Sequence, residues 1–194
     1  MLILCSNGLS SENLRMEVRE RLPRHCRTAA LVVTPSEGQK MRDQSIPRCT
    51  AELEAVGLTV TLFDIDEQDP RELLQYDVVE LIGGNPFYLM HAIRARKAAS
   101  VLRRIAQEKV LIGWSASAFA FGPTLKLVHM YSPEMNTVGL KNLRGLALTD
   151  IEVLPHCDSY AGFFEDFEAR CCEYEAKHRT CVIRLNDGEG IILE

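Results

Sequence analysis

No stretch of this chain approaches the roughly 18 consecutive apolar residues that a bilayer-crossing helix needs, so the sequence offers no membrane span. The opening Met1-Leu2-Ile3-Leu4-Cys5 is apolar but too short for a secretory leader. Ser6-Asn7-Gly8 follows at once, and the segment reads as a first strand. None of the seven cysteines stands in a C-x-x-C pair, and an odd count without a leader points to reduced thiols in a cytoplasm rather than a disulfide framework. Basic charge is scarce as well. With 22 Lys and Arg against 27 Asp and Glu, the net charge of -5 argues against general nucleic-acid binding. The local basic stretches Arg94-Ala95-Arg96-Lys97 and Arg103-Arg104 lie at helical spacing beside Leu102 and Ile105 and read as a solvated helix face. There is no internal repeat and no low-complexity tract.

What is present is enough apolar material for a core. At 194 residues and 46% hydrophobic content, one domain spanning residues 1–194 is the economical reading. Short β-branched or leucine-rich runs alternate with longer amphipathic segments, the rhythm of a parallel sheet with helices on both faces. Strands are expected near 1–5, 29–34, 58–64, 77–82, 110–113, 151–154, 180–185 and 190–193. Helices are expected near 10–22, 48–56, 70–75, 86–107, 115–121 and 160–177. Pro23, Pro35, Pro47, Pro70 and Pro86 punctuate element ends. The stretch from Gly122 to Thr149 breaks the rhythm and reads as a functional loop that covers or completes a site. The apolar stripe of the 86–107 segment would suit either the core or a second copy of the chain, so oligomeric state stays open.

Gly113-Trp114-Ser115-Ala116-Ser117 follows the apolar run Val110-Leu111-Ile112 and has the pattern of a nucleophile elbow. A serine on such a strand-to-helix turn is lifted clear of the sheet beside free backbone N–H groups. Small neighbours are a steric requirement there. Gly113 and Ala116 meet it, whereas Ser117 stands where G-x-S-x-G has glycine. The serine needs a base. His25 and His178 lie in charged segments, His91 fits a helix face, and His129 follows the elbow. His156 is the strongest candidate, because it ends the apolar run Ile151-Glu152-Val153-Leu154 and so falls at the carboxyl edge of the sheet with Ser115. Gly83-Gly84-Asn85-Pro86 ends another buried run, and paired glycines there allow close backbone approach and free N–H groups. Cys157 and Cys171-Cys172 read as packing residues.

Together Gly83-Gly84-Asn85-Pro86-Phe87, Gly113-Trp114-Ser115-Ala116-Ser117-Ala118, Gly122-Pro123-Thr124 and Pro155-His156 resemble peptidase family S51, the serine dipeptidases of the peptidase E type, related to cyanophycinases. Ser6-Asn7-Gly8 and Asn186-Asp187-Gly188-Glu189-Gly190 add weaker similarity. The resemblance implies a three-layer α/β/α fold with a mainly parallel sheet, like that of class I glutamine amidotransferases and flavodoxin. It further implies Ser115 as nucleophile, His156 as general base, the N–H groups of Gly84 and Ala116 as oxyanion hole, and Gly83 and Asn85 at the substrate, with no metal or cofactor. For the orienting acid, Glu134 is the choice by similarity to the cyanophycinase-like relatives, with Asp150 and Asp158 as alternatives.

The expected function is a cytoplasmic serine exopeptidase cleaving small peptides, including dipeptides with an amino-terminal aspartate. Lys126, Lys141 or Arg144 would receive that side chain. An amidase, isopeptidase or cyanophycinase-like hydrolase is the nearest alternative, and a non-catalytic binding protein that keeps the fold is the more distant one.

Overall fold

The computed structural model describes residues 1–194 and places a strand at every one of the eight expected positions. They are β1 (Leu2–Cys5), β2 (Thr28–Val32), β3 (Thr59–Phe63), β4 (Val78–Leu81), β5 (Val110–Trp114), β6 (Glu152–Leu154), β7 (Val182–Arg184) and β8 (Gly190–Leu193). Six form one sheet in the order β3-β2-β4-β5-β1-β8, parallel except for β8, which runs antiparallel to β1. β6 and β7 form a separate parallel pair. In the large sheet β1, β2, β4 and β5 are buried almost throughout, as strands covered on both faces must be. Alternate side chains enter two distinct cores. Leu4, Val32, Leu81 and Leu111 join one, and Ile3, Leu31, Ile82 and Ile112 join the other.

The helices are α1 (Glu12–Arg21), α2 (Ile46–Ala55), α3 (Pro86–Ala95), α4 (Ala99–Glu108), α5 (Ala116–Phe121), α6 (Lys126–Tyr131), α7 (Cys157–Phe163) and α8 (Phe167–His178). Ser11 caps α1 by accepting from the Leu14 N–H, and Asn85 caps α3 by accepting from Phe87 and Tyr88. The 70–75 segment is a 3-10 helix, Pro70–Gln75.

Two helices expected to be continuous are broken. Between α3 and α4, Lys97 takes φ 56, the Ala98 N–H donates to Ile93 O at 2.9 Å, and the Lys97 N–H donates to Arg94 O at 3.2 Å. This is a Schellman ending with lysine where glycine is usual. No Gly or Pro announces it, and the fully buried Ala98 shows that packing sets the break. The 160–177 segment instead begins at Cys157 and breaks at 164–166, where Tyr160, Phe164 and Phe167 gather around Tyr131. The 122–149 stretch is less irregular than expected. It contains α6 and buries Leu125, Leu127, Val128, Tyr131 and Leu146.

Two glycines fix how closely the layers meet at the site. A Cβ on Gly113 would lie 2.4 Å from the Phe121 ring, and one on Gly83 would lie 2.3 Å from the Trp114 ring. Both rings are buried and walled in by the core, so neither can simply swing aside. Gly113→Ala is therefore expected to destabilise the fold by about 1–3 kcal/mol, the usual cost of overpacking. Urea unfolding should show a lowered midpoint with an unchanged slope.

Candidate active site

The carboxyl ends of β1, β4, β5 and β6 and the turn before β8 supply the site. Because β8 is antiparallel, it starts where β1 stops, with Gly190 opposite Cys5. The turn leading into it therefore delivers Asp187 to the same edge as Ser115.

Ser115 links β5 to α5 with φ 51 and ψ -113, a conformation unfavourable for any residue with a Cβ. Its N–H donates to Cys5 O at 3.1 Å, one step beyond the last β1–β5 pair, Cys5 with Trp114. Its Oγ makes no hydrogen bond within the protein, and the side chain is half-buried. The N–H groups of Gly84 and Ala116 are likewise unengaged. Gly84 holds φ +135, and a Cβ there would strike Pro35 O at 2.2 Å, so only glycine fits.

His156 follows β6 and also has a left-handed backbone, φ 57 and ψ 37. Its Nδ1 lies 2.6 Å from Asp187 Oδ1. Ser6 ties the pair together, since its Oγ accepts from the His156 N–H at 2.8 Å and donates to Asp187 Oδ1 at 2.8 Å. Asn7 Nδ2 donates to Asp187 Oδ2 at 3.3 Å. The contact is partly open to solvent, with the His156 and Asp187 side chains 28% and 38% exposed.

The carboxylate against His156 is thus that of Asp187, and of none of the three acids expected there. Glu134 sits on a 3-10 turn, Pro133–Met135, beside Tyr160 and makes no hydrogen bond to His156. Asp158 accepts from the Ser159 N–H in the first turn of α7. Asp150 lines a hollow with Met1, Leu2 and Glu194, at the amino end of β1 and the far side of the sheet. The only sequence signal for Asp187 was its place in the weakly matching Asn186–Gly190 turn before the last strand.

Asn85 is also reassigned. Its Oδ1 caps α3, and its Nδ2 donates to Glu37 Oε2 at 2.9 Å, Met135 O at 2.7 Å and Thr137 Oγ1 at 3.2 Å, so the side chain is occupied within the protein. Through Asn85 the 135–137 turn is tied to the start of α3. Gly83, the other residue expected at the substrate, lies under the Trp114 ring. Of the cations expected to receive an aspartate side chain, Lys126 lines a hollow between α6 and α8 with Arg170 and Lys177, while Lys141 and Arg144 are exposed. None forms a hydrogen bond or ion pair with Ser115, His156 or Asp187.

Ser117, where glycine was the expected elbow residue, is fully buried and donates its hydroxyl to Ile82 O at 2.6 Å. It straps α5 to the end of β4, immediately before Gly83 and Gly84. The departure from the elbow pattern thus fixes the distance between the two strand ends that carry Gly84 and Ala116.

Beneath the edge, Glu80 of β4 is completely buried, and neither carboxylate oxygen has a hydrogen-bond partner. Burial above all, and Glu52 next, push its carboxyl up to about 8, partly countered by Arg48 and by the nearby Trp114 indole, which makes no well-formed hydrogen bond to it. A carboxyl whose folded pKa is raised contributes stability that is fully present below its unfolded value and is lost as pH rises through the folded one. Wild type should therefore lose stability relative to Glu80→Gln between pH 4.5 and about 8. Urea midpoints of the two proteins across that range should show the difference closing or reversing as pH rises.

The class that fold and site define is an α/β protein with a flavodoxin-like sheet and an elbow serine at its carboxyl edge. A candidate peptidase E protein from Listeria monocytogenes EGD-e superposes with a TM-score of 0.78 at 24% identity, covering 99% of this chain and 93% of that one. A peptidase from an acI-B1 Actinobacterium gives 0.55 at 15% identity over 87% and 73% of the two chains. In sequence, an uncharacterized peptidase of Listeria monocytogenes is 31% identical over 146 residues, 73% of this chain and 70% of its own length. The model of peptidase family S51 matches residues 2–194, and the chain belongs to that family. Its activity class is accordingly that of a peptidase.

Proposed function

We propose that the protein is a serine-type exopeptidase that hydrolyses small peptides through an acyl-enzyme on Ser115. The observation that carries this reading is the 2.6 Å contact between His156 Nδ1 and Asp187 Oδ1, built on the sheet edge that holds Ser115 in its strained elbow. With Nδ1 facing the carboxylate, Nε2 is the nitrogen left to take the Ser115 proton. Ser115 Oγ attacks the scissile carbonyl, and the resulting oxyanion is received by the N–H groups of Gly84 and Ala116. His156 then gives the proton to the departing amine. Water, deprotonated by the same imidazole, hydrolyses the ester and restores Ser115.

Two cations near this edge, Lys40 and the α2 residue Arg48, are already paired. Lys40 binds Asp64 and Asp66, and Arg48 binds Glu52. This favours peptides with a neutral first residue over those beginning with aspartate.

Ser115→Ala should abolish both peptide hydrolysis and labelling by a fluorophosphonate probe, a loss of about 10⁴-fold or more. Asp187→Asn should cost about 10²- to 10⁴-fold in kcat, because the wrong imidazole tautomer then faces the serine. Glu134→Gln should stay within about twofold of wild type, since it touches neither partner. A panel pairing Asp-Leu with Ala-Leu and Met-Leu checks the substrate preference. Full labelling of Ser115→Ala, or a Glu134→Gln defect as large as that of Asp187→Asn, would overturn the assignment.

A further inference from the structure

Asp187 lies on a turn without regular structure and is 38% exposed, so the turn alone does not fix its carboxylate. Oδ1 is held by Ser6 and His156, while Oδ2 has a single donor, Asn7 Nδ2. Asn7 is held in turn by one guanidinium. Arg48 Nη1 donates to Asn7 O at 3.0 Å, and Nη2 donates to Asn7 Oδ1 at 2.9 Å. The planar fork thereby fixes both the main chain and the amide orientation of Asn7, because the oxygen held by Arg48 leaves the amino group to face Asp187.

Arg48 is itself anchored. Its Nη1 also donates to Glu52 Oε1 at 2.6 Å, one helical turn on, and its guanidinium lies 5.3 Å from the ring centre of Trp114, the residue before Ser115. Glu52 Oε2 accepts from the Leu9 N–H at 3.0 Å. α2 therefore grips the segment after β1 on both sides of Gly8, where a Cβ would come within 2.9 Å of Glu52 Oε2.

We propose that Arg48 is a positioning residue that acts through Asn7 to hold Asp187 against His156, and that braces Trp114 beside the elbow. Its effect on rate rests on the serine-peptidase reading above; its effect on the His156–Asp187 contact does not.

Arg48→Met would leave Glu52 unpaired beside the buried Glu80 and threaten folding. The decisive variant is therefore Arg48→Met/Glu52→Gln, which removes the charge together with its partner. Two readouts are taken: steady-state peptide hydrolysis, and the far-downfield NMR signal of the His156 Nδ1 proton, identified by its loss in His156→Gln. The proposal expects kcat to fall by about 10- to 100-fold with KM within about twofold, as for a displaced catalytic group, and the downfield signal to broaden or vanish. Adding Asn7→Ala should then cost less than about twofold more, because the two residues act in series. Arg48→Lys, which keeps the charge but not the fork, should fall between the double variant and wild type.

An unchanged downfield signal in the folded double variant overturns the proposal, as does an Asn7→Ala penalty that simply adds. If wild type neither hydrolyses peptides nor takes the fluorophosphonate, the serine-peptidase reading fails. In that case loss of the proton signal in the Arg48 variant still supports the positioning role, and its persistence rejects it.

Discussion

The hydrogen bond from the Ser115 N–H to Cys5 O is the contact on which the site depends. It extends the β1–β5 ladder by one residue and brings the elbow alongside Ser6. Ser6 then holds the His156 main chain and the Asp187 carboxylate with a single hydroxyl. A shift of one residue in that register would turn every side chain of β5 to the other face and carry Ser115 away from the histidine. The two-sided burial of β1 and β5 is what forbids such a shift, since Leu111 and Ile112 belong to different cores. Hydrophobic patterning thus sets where Ser115 sits from Leu111 and Ile112, earlier in the same strand.

Around this contact the backbone is held where it would not rest by itself. Ser115, His156 and Gly84 all have positive φ. Each non-glycine residue in such a region costs of order 1–3 kcal/mol, and rigid surroundings must supply it. Those surroundings are visible: Phe121 packed on Gly113, Trp114 packed on Gly83, and Ser117 strapped to Ile82. The close packing that makes these glycines necessary also prevents the elbow from relaxing.

Much of this was legible in the chain. Eight strands appeared as short apolar runs, most plainly β1, β2, β4 and β5, where burial on both faces leaves little choice of side chain, and the residues at the ends of three of the eight runs marked Gly84, Ser115 and His156. What escaped had no local signature. The break at Lys97 lacks glycine or proline and follows from the packing of Ala98. Ser117 read as a defect because its partner, Ile82 O, is 35 positions away in sequence. Asn85 read as a substrate ligand because the three partners of its Nδ2, Glu37, Met135 and Thr137, lie on two other segments.

That His156 pairs with Asp187 and not with Glu134 has a topological cause. In a wholly parallel sheet, every loop at the carboxyl edge follows a strand, so an acid at that edge comes from a loop after a strand. A single antiparallel strand adds a loop that precedes one, and β8 does this beside β1. Asp187 therefore reaches the edge from the opposite chain direction, across 31 residues from His156. The same reversal explains why the carboxylate needs outside support. A residue leaving a buried parallel strand inherits that strand's rigidity, as Ser115 does, whereas Asp187 lies in a turn approaching an edge strand that is only half-buried. Its precision must come from neighbours, and the β1 loop with the α2 residues beneath it is the part of the molecule placed to provide it.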